Sequence, residues 1–237
     1  MAISICGGGV IVSTFYNEDC MEGMKRYPDK FFDLAIVDPP YGIDLANMNM
    51  GAGKGKRASK IQNRQWKPKE WDKEQPSEEY FTELFRVSQN QIIWGGNYFP
   101  LAPTRCFIVW DKGEGMYGRS FAECEFAWAS FDKSARIYKH TPVDKSRFHP
   151  TQKPVALYKW LLQNYAKQGD KILDTHVGSA SSLIACHRLG FDYVGFEIDP
   201  DYYKAACERL AKVQAQQTIF DLPTEQIEKQ TLFDVCK

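Results

Sequence analysis

Short, nearly continuous apolar runs alternate along this chain with amphipathic stretches of helical period. Leu34-Ala35-Ile36-Val37, Gln91-Ile92-Ile93-Trp94, Cys106-Phe107-Ile108-Val109-Trp110, Glu125-Phe126-Ala127-Trp128, Lys171-Ile172-Leu173-Asp174 and Tyr193-Val194-Gly195-Phe196 read as strands. Between them, Glu79 to Val87 sets Tyr80, Phe81, Leu84 and Phe85 on one helical face. Pro154 opens a helix carrying Leu157, Trp160, Leu161 and Tyr165, since proline is favourable at a first helical position. Leu183-Ile184-Ala185 starts another helix, and Asp199-Pro200 caps and opens one that runs through Leu210. Alternating strands and helices predict an α/β fold, a mostly parallel Rossmann-like sheet with helices on both faces. The aromatic stripes on these helices belong to the core.

The 237 residues suffice for one compact domain with a continuous core. Formal net charge is zero, so contact with nucleic acid has to come from segregated charge. Such segregation is visible from Gly51 to Lys69, where Lys54, Lys56, Arg57, Lys60, Arg64, Lys67 and Lys69 occur without an acid. A solvated loop is the plain reading of a charge run, but this one follows an acidic turn that looks chemical, and phosphate contact becomes the better expectation. The seven cysteines (Cys6, Cys20, Cys106, Cys124, Cys186, Cys207, Cys236) show no CxxC or zinc spacing and are expected as reduced, buried thiols of a cytoplasmic protein. No metal is implied, and no apolar stretch is long enough to span a membrane.

Two turns carry candidate chemistry. The first apolar strand runs into Asp38-Pro39-Pro40-Tyr41, where the prolines fix φ and point the turn's carbonyls in set directions. Asp38 and a turn carbonyl can accept hydrogen bonds from an exocyclic NH2 while Tyr41 stacks on the ring. The second turn, Thr175-His176-Val177-Gly178-Ser179-Ala180-Ser181-Ser182, joins the strand ending at Asp174 to a helix start. Gly178 permits close backbone approach, and the helix N-terminus offers free N–H groups to a carboxylate. Glu197, at the tip of the next strand and about 20 residues on, suits a ribose diol, so a nucleoside-containing cofactor is expected.

With both turns in view, the chain resembles the β-class (permuted) amino-methyltransferases that methylate adenine N6 or cytosine N4 in DNA. The order of Asp38 to Tyr41, then His149-Pro150-Thr151-Gln152-Lys153-Pro154, then Asp174 to Ser182, then Glu197 is that of the family, and it spans most of the chain. The resemblance implies a circularly permuted methyltransferase fold with an antiparallel edge hairpin, and S-adenosylmethionine as cofactor. Within the single domain it implies a catalytic half at about 10–130, a basic DNA-facing loop at about 45–72, a short recognition segment at about 131–148, a cofactor half at about 149–212 and a tail at 213–237. Residue by residue, it gives Asp38, Pro39, Pro40 and Tyr41 to the target base. Asp19 goes near the cofactor adenine, Glu197 to its ribose, and Lys153, Ser181 and Ser182 to its methionine carboxylate. Asp174, His176 and Gly178 belong to the same cofactor site, with His176 standing where the family has a stacking phenylalanine. Ala180 departs from the family's second glycine, which leaves open a weaker cofactor site.

The implied reaction is direct methyl transfer to the amine of a flipped base, with adenine preferred because Asp heads the family's adenine-directed turns. Cytosine N4 is the alternative. A non-catalytic DNA-binding module and a protein glutamine methyltransferase are more distant ones, the last disfavoured by Asp38, the permuted order and the basic run. Duplex DNA is the expected partner, and a homodimer and a cognate restriction endonuclease are left open. In the tail, Gln216-Gln217-Thr218-Ile219-Phe220-Asp221 is echoed by Gln230-Thr231-Leu232-Phe233-Asp234 and resembles peptides that dock on a sliding clamp. Folding back of these apolar pairs onto the protein's own surface is the favoured expectation.

Overall fold

The alternation within β2 (Phe32–Val37) sets the plan of the molecule: Leu34 and Ile36 enter one core, Ala35 and Val37 another, and all four are at most 1% exposed. A strand buried on both faces needs cover on both. This computed structural model describes residues 13–43, 74–119, 122–144 and 146–216, and within them eight strands form one sheet in the order β1-β8-β7-β2-β3-β5-β4-β6. The other strands are β1 (Thr14–Tyr16), β3 (Ser88–Trp94), β4 (Phe107–Asp111), β5 (Cys124–Ala129), β6 (Arg136–Lys139), β7 (Lys171–Asp174) and β8 (Asp192–Phe196). β5 runs antiparallel to β3 and β4, and every other pairing is parallel.

On one face lie α3 (Val155–Tyr165), α4 (Ser181–Leu189) and α5 (Pro200–Gln214). Leu157, Leu161, Leu183, Ile184, Ala206 and Leu210 pack there with Leu34, Ile36 and Ile92. The opposite face is covered by α1 (Cys20–Met24) and α2 (Glu78–Val87), whose Met24, Tyr80, Phe81 and Leu84 meet Ala35, Val37 and Ile93. Each fully buried Leu or Ile contributes about 1.5–3 kcal/mol relative to exposure, so the two-sided burial of β2 and β3 dominates the stability of the sheet centre.

This topology positions the site. Leu34 pairs with Ile172 and Ala35 with Leu173, so β2 and β7 end level with each other. β2 leads on through α2 to β3, while β7 leads through α4, on the opposite face, to β8. The crevice between two strands whose connections diverge to opposite faces is where open α/β sheets bind ligands.

Several details depart from the sequence reading. Pro154 is the cap of α3 rather than its first helical residue, with ψ 141°, and the helix begins at Val155. Residues 136–139, expected within a recognition segment, form the edge strand β6, so the β4–β5 hairpin lies one strand inside the sheet edge. Phe85 is only partly buried, against Trp128, and Cys124 is exposed while Cys106 and Cys186 are buried. Asp199 caps α5 as expected, accepting from the N–H groups of Asp201 and Tyr202 at 2.9 and 3.2 Å. No helix among the described residues is long and apolar enough to cross a membrane.

Ala180 sits at φ 60°, ψ 23°, a left-handed conformation that suits glycine, and is fully buried in the core beneath α4. Ala180→Gly relieves strain of about 1–2 kcal/mol but loses a buried methyl (about 0.8) and gains unfolded-state entropy (about 0.4–1). The terms nearly cancel, so thermal melting is expected to shift by only a few degrees. The Ala180 methyl lies in the core rather than among the residues that line the adjoining cavity, so ligand affinity at that cavity should change by less than about threefold, corresponding to less than about 0.7 kcal/mol.

Candidate active site

At the end of β2 the Asp38 carboxylate is held from two sides. Its Oδ1 accepts from Tyr41 Oη at 2.6 Å, and its Oδ2 from Lys153 Nζ at 2.5 Å. The Tyr41 ring stacks on Tyr98 at 4.9 Å between centroids. It also lies so close to Gly95 that a Cβ there would come within 2.2 Å of it, and Gly95 has φ +69°. Glycine is required at that position on both counts.

Lys153, 4% exposed, also lies 3.0 Å from Glu125, which in turn pairs with Lys112 at 2.9 Å. Burial pushes the Asp38 carboxyl above its usual range, and Lys153 pulls it back down. For Lys153, burial opposes the charge, but Asp38 and Glu125 together outweigh it and hold the pKa above the usual lysine value. Glu125 is brought down to about 2: its own burial works the other way, and the two lysines prevail. The four groups form an alternating row, Lys112, Glu125, Lys153, Asp38, of zero net charge.

The turn after β7 supplies the second half. Gly178, at φ +53°, donates its N–H to Glu197 Oε2 at 2.8 Å, and Asp199 N–H donates to Oε1 at 2.9 Å. Burial raises the Glu197 carboxyl to about 7 against those two donors. Asp174 is likewise raised to about 7 by burial, although it accepts from the Ser182 hydroxyl and from His176 N–H at 3.0 Å. Gly195 on β8 has no side chain because Val177 packs there, and a Cβ would meet Val177 Cγ2 at 2.7 Å. From α5, Arg209 donates to the Ser179 carbonyl at 2.7 Å and to Ser181 Oγ at 2.9 Å, which fixes the entry to α4.

Both turns open on one cavity of about 300 Å³. Of the residues singled out in the sequence, Asp19, Asp38, Pro40, Lys153, His176, Gly178, Ser181 and Glu197 line it. Asp19 does so while capping α1 through Met21 N–H at 2.7 Å. Asp174 and Ser182 bond to each other rather than line the cavity, and Pro39 and Tyr41 are absent from its wall. Lys153, expected at a carboxylate of the cofactor, spends its ammonium on Asp38 and Glu125. His176 bonds Thr175 Oγ1 at 2.9 Å and meets the edge of Tyr80, and burial lowers it to about 4. Lys54, Lys56, Arg57, Lys60, Arg64 and Lys67, and the tail motifs beyond Gln216, lie outside the described residues.

Sequence reasoning missed other members of the wall. His149 packs on Tyr202 at 4.2 Å, and burial first, then Arg147 and Lys153, lowers it to about 3, so it is neutral at ordinary pH. Thr151, Tyr158 and Ile198 also line the cavity, Ile198 being 60% exposed. His149 and Thr151 stood within a quoted motif; Tyr202 was read as part of a helix, and its spacing alone gave no sign of a ligand wall.

The donors and acceptors suit a nucleoside cofactor: a carboxylate beside a glycine turn, free backbone at a helix start, and apolar surface at Ile198. The cavity thus lies between the Asp-Pro-Pro-Tyr turn after β2 and the glycine turn after β7 of an α/β sheet. Residues 109–208 match the model of a DNA methylase family, the N6/N4 methyltransferases. YubD of Escherichia coli (strain K12) is 25% identical over 220 residues, 86% of this chain and 92% of YubD. The Type II methyltransferase M.HpaI of Haemophilus parainfluenzae is 40% identical over 62 residues, 26% of this chain and 20% of that enzyme. The fold is shared with the M1.HpyAVI-SAM complex, at TM-score 0.55 and 21% identity over 82% of this chain and 98% of that one. It is also shared with PvuII DNA methyltransferase (cytosine-N4-specific), at TM-score 0.51 and 11% identity over 91% and 90%. Over residues 109–208 the chain therefore resembles the N6/N4 DNA methylases, and it shares its fold with solved DNA methyltransferases.

Proposed function

We propose that the protein methylates adenine N6 in duplex DNA with S-adenosylmethionine as methyl donor. The observation that carries this reading is the Asp38 carboxylate, paired with Lys153 and opening on the same cavity as Glu197. Asp38 accepts a hydrogen bond from the target NH2, and the Pro39 carbonyl accepts the other; together they favour a pyramidal nitrogen whose lone pair is free to react. The bound cofactor supplies an electrophilic methyl on a sulfonium. Glu197 holds the ribose hydroxyls, Asp19 and Ile198 border the adenine, and Ser181 with the start of α4 meets the carboxylate. Positioning and local charge supply the rate, and the amine proton, acidic once the methyl has moved, leaves by way of Asp38 or solvent. Flipping the base costs a few kcal/mol, offset by stacking on Tyr41 and by phosphate contacts.

Adenine is preferred to cytosine because the turn begins with aspartate; the cytosine reading rests on the breadth of the family. Incubating the protein with methyl-labelled cofactor and unmethylated duplex, then digesting to nucleosides, tests it. N6-methyladenine is the expected product, label in N4-methylcytosine would replace the substrate, and no label in any duplex would overturn the function.

Duplex DNA is held in this reading by the basic stretch at 51–69. Charge reversal at Arg57 and Lys60 should weaken DNA binding while leaving the cofactor untouched. The slope of log K against log salt should flatten by roughly two, from about 0.9 per lost phosphate contact. Equal slopes in wild type and variant, measured by fluorescence anisotropy, would remove the stretch from the interface.

A further inference from the structure

The Asp38 carboxylate has a difficulty the methyl-transfer reading must meet. Both of its oxygens already have partners, Tyr41 on Oδ1 and Lys153 on Oδ2, yet one must accept the incoming amine. If Lys153 had only Asp38, yielding that oxygen would strand a buried ammonium, which is strongly unfavourable. Lys153 has a second carboxylate, Glu125, 3.0 Å away on β5, and Glu125 is in turn tied by Lys112 on the outer side. We propose that Glu125 is a positioning residue for methyl transfer: it keeps Lys153 charged and gives it somewhere to lean when Asp38 turns to the base.

The surroundings leave Glu125 as the group suited to this. Around this row of charges stand Asp38 and Tyr41 from the turn after β2, Glu125 from β5, Tyr158 from α3, His149 before α3 and Asp174 at the end of β7. Lys112, at the end of β4, stands on the far side of Glu125. His149 is neutral at ordinary pH, Tyr41 and Tyr158 are pushed well above their usual values by burial, and Asp174 is raised to about 7 with its carboxylate engaged by Ser182 and His176. Trp94 presents only its ring, 5.2 Å from Nζ. Glu125, whose side chain is 24% exposed, is therefore the second full negative charge within 4 Å of Lys153 among the described residues.

The inference rests on the methyltransferase reading, so its test has one arm that does not need turnover. In full-length protein with isotope-labelled lysine, the side-chain resonance of Lys153 is titrated in wild type, Glu125→Gln and Glu125→Asp. Removing a negative charge beside an ammonium lowers its pKa. Glu125→Gln should therefore bring the Lys153 titration down by about one pH unit or more, the usual size for a lost neighbouring charge, and Glu125→Asp should restore most of it. In the second arm, kcat for DNA methylation in Glu125→Gln should fall at least about tenfold on the alkaline side, following that titration, with KM for S-adenosylmethionine within about twofold. An unmoved Lys153 titration in folded Glu125→Gln, or a moved titration with an unchanged kcat–pH profile, would overturn the proposal. Wild-type protein that transfers no methyl to any duplex, while Lys153 still responds to Glu125→Gln, would bring down the functional reading and leave the charge coupling standing.

Discussion

Asp38→Ala should reduce methyl transfer by at least about 10²–10³-fold, the usual consequence of removing a preorganised partner of the reacting group. The cofactor should still bind within about threefold of wild type, a difference of about 0.7 kcal/mol, because the hydrogen bonds of Glu197 and of the turn at Gly178 involve other atoms. The fold should survive, because Lys153 keeps Glu125 as a partner and Tyr41 keeps its stack on Tyr98. Asp38→Asn is the sharper probe: it preserves shape but turns one acceptor into a donor facing Lys153 or Tyr41, and it should be nearly as inactive. Labelled methyl transfer measures the first quantity and calorimetry the second. Near-normal turnover in either variant would remove this turn from the chemistry, and parallel loss of cofactor affinity would show that Asp38 belongs to the other half of the site.

The strand-and-helix alternation was legible because the central strands are buried on both faces, which leaves continuous apolar runs such as Leu34 to Val37. β1, α1 and β6 were not legible. β1 is three residues long and α1 five, while β6 carries Arg136 and Lys139 and is mostly exposed, so periodicity had too little to work on. The two turns stood out through their composition: Asp-Pro-Pro-Tyr at one strand end, and a small-residue loop followed by Glu197 at another. What spacing could not reveal was pairing across the sheet. Lys153 lies 115 positions from Asp38, and Glu125 comes from the antiparallel strand, so nothing local to either segment told that they meet.

Glu197→Ala is expected to weaken S-adenosylmethionine by about 1.5–3 kcal/mol, the range for lost hydrogen bonds to a charged group. It would also leave the N–H groups of Gly178 and Asp199 without their carboxylate, so some stability should be lost along with affinity. The pH dependence separates these effects. Burial raises Glu197 to about 7, so near neutrality a large share of the ligand-free protein carries a proton there. A ribose diol donates to the ionised form, so binding should release that proton. Affinity should then rise with pH and level off above about 7, being about tenfold weaker at pH 6 than on the plateau. Asp174 is raised to the same value, and Glu197→Gln distinguishes the two. Calorimetry in buffers of different ionisation enthalpy should find no proton released and a flat pH profile in that variant. A profile that still rises with a midpoint near 7 would transfer the effect to Asp174, and would mean that Glu197 is not the acid the cofactor meets.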